Sequence, residues 1–339
     1  MDLIGLLSSE RSTVMRALTH SSFGPAEDVL VVDDRPLPVP GPGEVRVRTV
    51  LSPIHNHDIW TVRGTYGYKP ELPAQSGTEA FGVVDALGEG VDALSVGQRV
   101  STGGTFGVWA EYFTARAGAL IPVPDGVPDE VAAQLVSMPF SAISLLDFLA
   151  LSEGDWLVQN TANGAVGRMV AQLARARGIN VVGLVRRAAG VDELREQGID
   201  NVVATDADDW RDRVAAITGG APIIAGVDSV GGASAGEVLS LLAENGTLVV
   251  FGAMASPVME LGSGDVIFKQ ITVKGFWGSK VSSAMDAATR GRLFGELLTR
   301  ISSGELTLPV SAIYAFDDIA DAARASMTAG RVGKVLLRP

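Results

Sequence analysis

The chain contains no cysteine. That excludes disulfides, an all-cysteine structural zinc site and a thiol nucleophile, and it fits a reducing compartment. No uninterrupted apolar run reaches the roughly 18 residues that a membrane-spanning helix needs. The opening residues, Met1 to Arg11, carry neither a basic leader nor a long apolar core, so a cytoplasmic protein without a secretory signal is expected. Basic clusters are missing too, apart from Arg186-Arg187, and the net charge of −12 argues against nucleic acid or an anionic membrane as a partner. What remains is a well-packed chain: 339 residues, 47% hydrophobic and 19% charged, enough for about two domains.

Residues 15 to about 124 read as many short strands with turns between them. Val45, Val47, Thr49 and Leu51 alternate with Arg46 and Arg48 after the Pro-Gly turn at 42–43, the period of a half-buried strand. Such a pattern points to a β-rich, partly closed barrel. From Pro128 the pattern turns helical, with an apolar helix over Phe140–Leu151. Strands then alternate with helices at 156–160, 181–185, 201–204, 223–227, 247–252 and 271–275. Six strands are the number of a doubly wound parallel sheet. An amphipathic helix is expected over 290–303, and Asp317-Asp318 is expected to cap another over 319–328. The last strand, Gly333–Leu337, has no place in a six-stranded sheet and returns to the first domain. The divisions are an N-terminal extension (1–14), a catalytic domain (15–132 and 276–339) and a nucleotide-binding domain (133–275).

The segment Trp156–Ala174 organises the second domain. A short apolar run gives way to small residues and then to a helical pattern at Val166, Met169, Val170 and Leu173. Ala162, Gly164 and Gly167 stand at the spacing of G-x-G-x-x-G, with alanine first. Small residues there permit a sharp turn, close approach of a pyrophosphate and tight helix–strand packing. The N–H groups and the positive end of the helix dipole would hold the phosphates, through Asn163, Gly164, Ala165, Val166 and Gly167. After the next strand an acid would select the ribose hydroxyl of NAD. This chain has Arg186-Arg187 and no acid until Asp192. Two guanidiniums suit a 2′-phosphate, so NADPH is the expected cofactor.

Seven ordered pieces carry a resemblance: Pro40–Val45; Asp58 with Arg63–Tyr66; Gly77–Val84; Ala162–Gly167; Val227–Gly231; Val250–Gly252; and Gly333–Leu336. Together they resemble the zinc-free medium-chain dehydrogenases/reductases, and within them the quinone oxidoreductases and 2-enoyl thioester reductases. The resemblance runs from Met15 to Pro339. It implies an α/β chain with a GroES-like β-rich catalytic domain, a Rossmann-type doubly wound parallel sheet, and a homodimer joined near Ile271–Gly275. It also implies that Phe251, Gly252, Phe276, Trp277 and Lys334 line the cofactor. The positions matching the catalytic zinc ligands of other members are His55, Thr78 and Phe140. One ligand of three cannot hold zinc, so no metal is expected.

Without a Lewis acid, conjugate reduction is easier than alcohol oxidation, because its developing charge rests on an enolate that hydrogen-bond donors can stabilise. The implied reaction is NADPH-dependent hydride transfer to an activated C=C (enoyl thioester or enone) or to a quinone. Tyr66 in Arg63-Gly-Thr-Tyr66-Gly67 matches the tyrosine of the thioester reductases and is the candidate donor, with Tyr68 as a second choice. His55 and Asn56 are placed beside it in the catalytic pocket. Two departures are His55-Asn-His-Asp58 for the family's Asn-Pro-Ser-Asp, and Gly-Thr-Glu79 for Gly-Asn-Glu; Asp58 and Glu79 are expected to be buried structural partners. The competing readings are a zinc-free alcohol or ketone dehydrogenase with His57 or Tyr66 as the acid, and a non-catalytic, crystallin-like NADPH-binding protein.

Overall fold

The structure, a computed structural model, describes residues 13–328 and 330–339. They fall into two units that divide at Ser137/Met138 and at Thr307/Leu308, so residues 308–339 rejoin the first unit. Most of the expected N-terminal extension lies outside the described residues; Val14 already begins the strand Val14–His20.

The first unit is β-rich. Its larger sheet runs, in spatial order, Val310–Ala315, Lys334–Arg338, Glu44–Pro53, Glu79–Leu87, Arg99–Gly103 and Ile121–Pro122, with Tyr112–Arg116 also pairing on Glu44–Pro53. The expected alternation holds in Glu44–Pro53: Val45, Val47, Thr49 and Leu51 are buried, whereas Arg46 is half-buried and Arg48 exposed. The returning strand Lys334–Arg338 pairs antiparallel with Glu44–Pro53 and parallel with Val310–Ala315. One core therefore joins Leu18, Val45, Val47, Ile54 and Trp109 to Phe316, Ile319, Val335 and Leu337. Gly77 makes a close approach possible. Its φ is +91°, and a Cβ there would lie 2.3 Å from Cδ1 of the buried Trp109.

The second unit holds six parallel strands: Trp156–Gln159, Asn180–Val185, Val202–Ala204, Ile223–Asp228, Thr247–Val250 and Thr272–Gly275. Their spatial order is third, second, first, fourth, fifth, sixth, and the order reverses between Trp156–Gln159 and Ile223–Asp228. This is the doubly wound nucleotide-binding topology, in which ligands bind beyond the carboxyl ends of the strands at the reversal.

This unit extends past residue 275, where the sequence reading ended it, to Thr307. The reason is packing. The helix Ala287–Ser302 buries Leu293, Phe294 and Leu297, and Phe294 stacks at 4.3 Å on Phe140 of the helix Ser137–Leu149. Arg177 adds a two-pronged bond to Glu296, with both contacts at 2.9 Å. Asp286 caps this helix by accepting the Thr289 N–H at 2.9 Å. The expected Asp317-Asp318 cap differs. Asp318 does precede the helix Ile319–Ser326 but makes no side-chain cap bond, and Asp317 pairs with Arg16. Among the described residues, no helix is long and apolar enough to cross a membrane.

Leu337 lies wholly buried among residues from both sides of the inserted unit. Leu337→Ala should cost roughly 2–5 kcal/mol by lost burial and residual cavity, read as a lower urea midpoint with an unchanged slope.

Candidate active site

In the first unit, Ser52-Pro53 ends a strand, and after Ile54 and His55 the helix Asn56–Arg63 begins. Asp58, in its first turn, reaches back and accepts the His55 backbone N–H at 2.9 Å, half of a capping box. Its other oxygen accepts the Thr78 hydroxyl at 2.7 Å. Thr78 Oγ1 in turn lies 2.8 Å from His57 Nε2. Gly64, left-handed at φ 72°, ends the helix and lets the chain turn toward Tyr66. The Tyr66 ring is 5.8 Å from that of His57, and the His57 ring stacks on that of His55 at 5.0 Å. Tyr68 instead packs on Phe106 at 4.4 Å, so Tyr66 is the tyrosine beside the polar cluster. Burial, and then the Asp58 charge, push the Tyr66 hydroxyl above its usual range, which keeps it a neutral donor.

A second set of contacts lies deeper. His55 Nε2 is 2.6 Å from Glu79 Oε2, and both residues are fully buried. The other Glu79 oxygen accepts the backbone N–H groups of Val136 and Ser137 at 2.7 and 2.8 Å. Burial lifts the Glu79 carboxyl to about 7 despite those bonds. Burial likewise holds His55 well below the ordinary histidine range, helped by the charge of Lys334. Lys334 is buried with Nζ 3.5 Å from the Ile54 carbonyl, and desolvation brings it down to about 8. The sequence reading assigned Lys334 to the cofactor lining; its carbonyl contact and nearest charges lie in this buried cluster. Asn56 is half-buried and makes no side-chain hydrogen bond among the described residues.

Sequence reasoning did not foresee this helix or its bonding. One signal was legible, the three-residue step from His55 to Asp58, which is the spacing of a capping box. The contacts to Thr78, Glu79 and Val136 join distant segments and leave no local pattern. A cavity of about 530 Å³ beside Asp58, Thr61 and Thr78, bordered by His20, Tyr68 and Phe106, was also not foreseen.

The second unit carries the dinucleotide motif as expected. Gly164 caps the helix Ala165–Ala176, and its first intrahelical bond runs from Arg168 N–H to the Gly164 carbonyl at 3.0 Å. The N–H groups of Ala165, Val166 and Gly167 precede that bond and are available to an anion. Gly167 is required by contact: a Cβ would sit 2.6 Å from the Thr161 carbonyl oxygen. Gln159 clamps strand to helix by donating to the Gly167 carbonyl at 2.7 Å. Asn163 is half-buried in this turn. Arg186 and Arg187 are exposed directly after Asn180–Val185, and neither meets a carboxylate among the described residues. A seat with open N–H groups and free guanidiniums one strand away fits a phosphorylated dinucleotide.

At the ends of the fifth and sixth strands, Phe251 stacks on Phe276 at 5.7 Å, and the Phe251 and Gly252 N–H groups are both held by the Asp228 carbonyl. A cavity of about 400 Å³ opens there, lined by Val250, Gly275, Phe276, Trp277, Lys280 and Val281. Phe276 is buried and Trp277 is 66% exposed.

Among the described residues, no group of three His, Cys, Asp or Glu has the arrangement to hold a metal. His55 Nε2 lies on Glu79 and His57 Nε2 on Thr78.

Comparison with known proteins gives a consistent result. Residues 41–125 match the family described as alcohol dehydrogenase GroES-like domain, and residues 165–290 the one described as zinc-binding dehydrogenase. The chain is 32% identical over 320 residues to the mitochondrial enoyl-[acyl-carrier-protein] reductase of Homo sapiens, covering 92% of this chain and 86% of that protein. It is similar to the crystal structure of a putative NADPH:quinone reductase from Bacillus thuringiensis, with a TM-score of 0.89, 26% identity, and coverage of 97% and 100%. It is also similar to mycobacterial Rv1454c solved in complex with NADPH, with a TM-score of 0.81, 30% identity, and coverage of 96% and 100%.

The buried carboxyl makes stability depend on pH with a definite sign. Glu79 rises from 4.5 to about 7 on folding, so the folded state holds its proton more tightly and stability falls as pH rises through that window. Lys334 falls from 10.5 to about 8, so its cost is full below 8 and is relieved as pH rises from 8 toward 10.5. Across pH 4.5–7 the Glu79 contribution should lower the unfolding free energy by on the order of 3 kcal/mol, and Glu79→Gln should abolish that slope. Urea titrations at several pH values check this; parallel wild-type and variant profiles would contradict it.

Proposed function

Since the chain belongs to the medium-chain dehydrogenase/reductase superfamily, whose members transfer hydride with NAD(P)H, we propose that it is an NADPH-dependent, zinc-independent reductase of an activated C=C bond. The acceptor is an enoyl thioester or enone, with a quinone as the other candidate. The observation that carries this reading is the hydrogen-bonded set Asp58–Thr78–His57 beside Tyr66. The names of the human and Bacillus thuringiensis relatives support the same two acceptor classes.

Asn163 to Gly167 would hold the pyrophosphate, Arg186 and Arg187 the 2′-phosphate, and Phe251, Gly252, Phe276 and Trp277 the nicotinamide side. When bound, NADPH supplies the hydride. The chain's own residues supply the rest. Tyr66, neutral and half-buried, donates to the substrate carbonyl oxygen and stabilises the enolate that follows hydride addition to the β-carbon. Asn56 stands at the start of the neighbouring helix, and His55 acts from within the buried layer.

The reading includes a homodimer formed along the free edge of Thr272–Gly275. That strand ends the sheet, and Phe268 (82% exposed) and Ile267, just before it, and Val273, on it, are exposed apolar side chains.

NADPH oxidation is followed against a medium-chain 2-enoyl thioester, an enone, a quinone and a ketone, with a chelator present. Enoyl or enone turnover should be fast, and Tyr66→Phe should lower kcat about 10²–10³-fold. Turnover only of the ketone, or none while NADPH still binds, would overturn the proposal. Quinone turnover indifferent to Tyr66 would select the quinone and leave Tyr66 as a packing residue.

The cofactor assignment has its own test. Arg186→Glu with Arg187→Glu should raise the NADPH dissociation constant about 10–100-fold, the worth of a charge-assisted hydrogen bond. NADH binding should stay near wild type. Equal losses for both cofactors would refute the 2′-phosphate assignment.

A further inference from the structure

The two neighbouring histidines, His55 and His57, have different access and different bonding. His55 is 1% exposed, with Nε2 on Glu79 and Nδ1 buried without a partner. The His57 side chain is 23% exposed, and its Nδ1 has no partner among the described residues. His57, not His55, is thus the histidine open to a substrate.

The bonding around His57 fixes where its proton sits. Thr78 has one hydroxyl proton and two close neighbours, Asp58 Oδ1 at 2.7 Å and His57 Nε2 at 2.8 Å. The Asp58 carboxylate already accepts the His55 N–H and can only accept from Thr78. The Thr78 proton therefore points at Asp58, and the Thr78 oxygen must accept from His57. That places a proton on Nε2 and leaves Nδ1 as the exchanging nitrogen. Asp58 Oδ1 lies 3.7 Å from His57 Nε2. The other groups facing the ring are His55, kept neutral by burial, and Tyr66. Lys334 and Glu79 stand behind His55.

We propose that His57 Nδ1 is the proton donor to the substrate α-carbon, with Thr78 and Asp58 as its positioning residues and Tyr66 confined to the carbonyl oxygen. This rests on the conjugate-reduction reading above. Hydride addition to the β-carbon leaves an enolate. Its electron pair takes the Nδ1 proton to form the α C–H bond, and His57 is left neutral with its proton on Nε2. Solvent returns the Nδ1 proton to the partly exposed ring. One hydride from NADPH and one proton from water reduce one C=C bond. The donor thus lies on the side chain that stands where the resembling thioester reductases carry the serine of Asn-Pro-Ser-Asp.

Two measurements test it. The first needs neither cofactor nor substrate. The chain has 3 histidines, so ¹⁵N-histidine NMR of the ligand-free protein, assigned with His20→Gln and His57→Gln, resolves the ring. A slowly exchanging His57 Nε2–H should be seen in the wild type and in Thr78→Ser, and lost in Thr78→Val. A proton on Nδ1, or an Nε2–H unaffected by Thr78→Val, would overturn the proposal. The second follows reduction in D₂O. His57→Gln should retain NADPH affinity, lower kcat about 10²-fold and lose the single-face delivery of deuterium at the α-carbon, while Tyr66→Phe slows turnover but keeps that stereochemistry. Scrambling in Tyr66→Phe with retention in His57→Gln would assign the proton to Tyr66 and end the claim for His57. If nothing in the substrate panel is reduced, the proposed function falls, and the NMR result still decides the bonding of His57.

Discussion

The first unit depends on one buried carboxyl. Glu79 has no solvent to ionise into, yet it holds three partners from two other stretches of chain: the His55 ring and the backbone N–H groups of Val136 and Ser137. Those two amides lie where the chain is about to leave the first unit. An apolar side chain of the same size would leave two amides and an imidazole unsatisfied in the interior, a cost of several kcal/mol. The carboxyl is therefore kept although burial disfavours its charge, and Lys334 supplies a compensating cation nearby. The geometry of the Asn56–Arg63 helix, and so of His57 and Tyr66, is set above this layer.

The two units do different kinds of work. The second presents backbone: open N–H groups at a helix start, a glycine that lets helix and strand close together, and a pair of unpaired guanidiniums. Such groups suit a phosphate by geometry and charge. The first presents side chains: a tyrosine whose hydroxyl burial keeps neutral, a histidine held by a hydroxyl, and an aspartate that accepts a backbone N–H at a helix start.

Much of the second unit was legible in the sequence, because its signals are local. Apolar runs of strand length alternate with helical periods, and all six expected strands appear within a few residues of their places. The Ala162–Gly167 turn is equally local. The limit at residue 275 was not legible, since nothing in Ala287–Ser302 announces that its apolar stripe will bury Phe294 against Phe140. In the first unit, the placing of the strand at 334–338 followed from counting strands and held. The bonds of His57, Thr78 and Glu79 did not follow from any pattern, because each joins positions 20 or more residues apart. Among the candidates, Tyr66 was found beside the polar cluster, whereas His55 proved buried and Lys334 proved part of that buried layer.

The strand Lys334–Arg338 lies between Val310–Ala315 and Glu44–Pro53 in the sheet of the first unit. It is made only after the whole of Met138–Thr307 has been synthesised. During synthesis the nucleotide-binding unit is thus contiguous and can fold as it emerges, while the β-rich unit waits with an open seam at Ser52–Pro53. The second unit can complete its sheet before the first has received Lys334 and closed its own. An unpaired strand edge exposed for that interval is also where two nascent copies could pair wrongly. Speed of closure, rather than final stability alone, is therefore a constraint on residues 308–339.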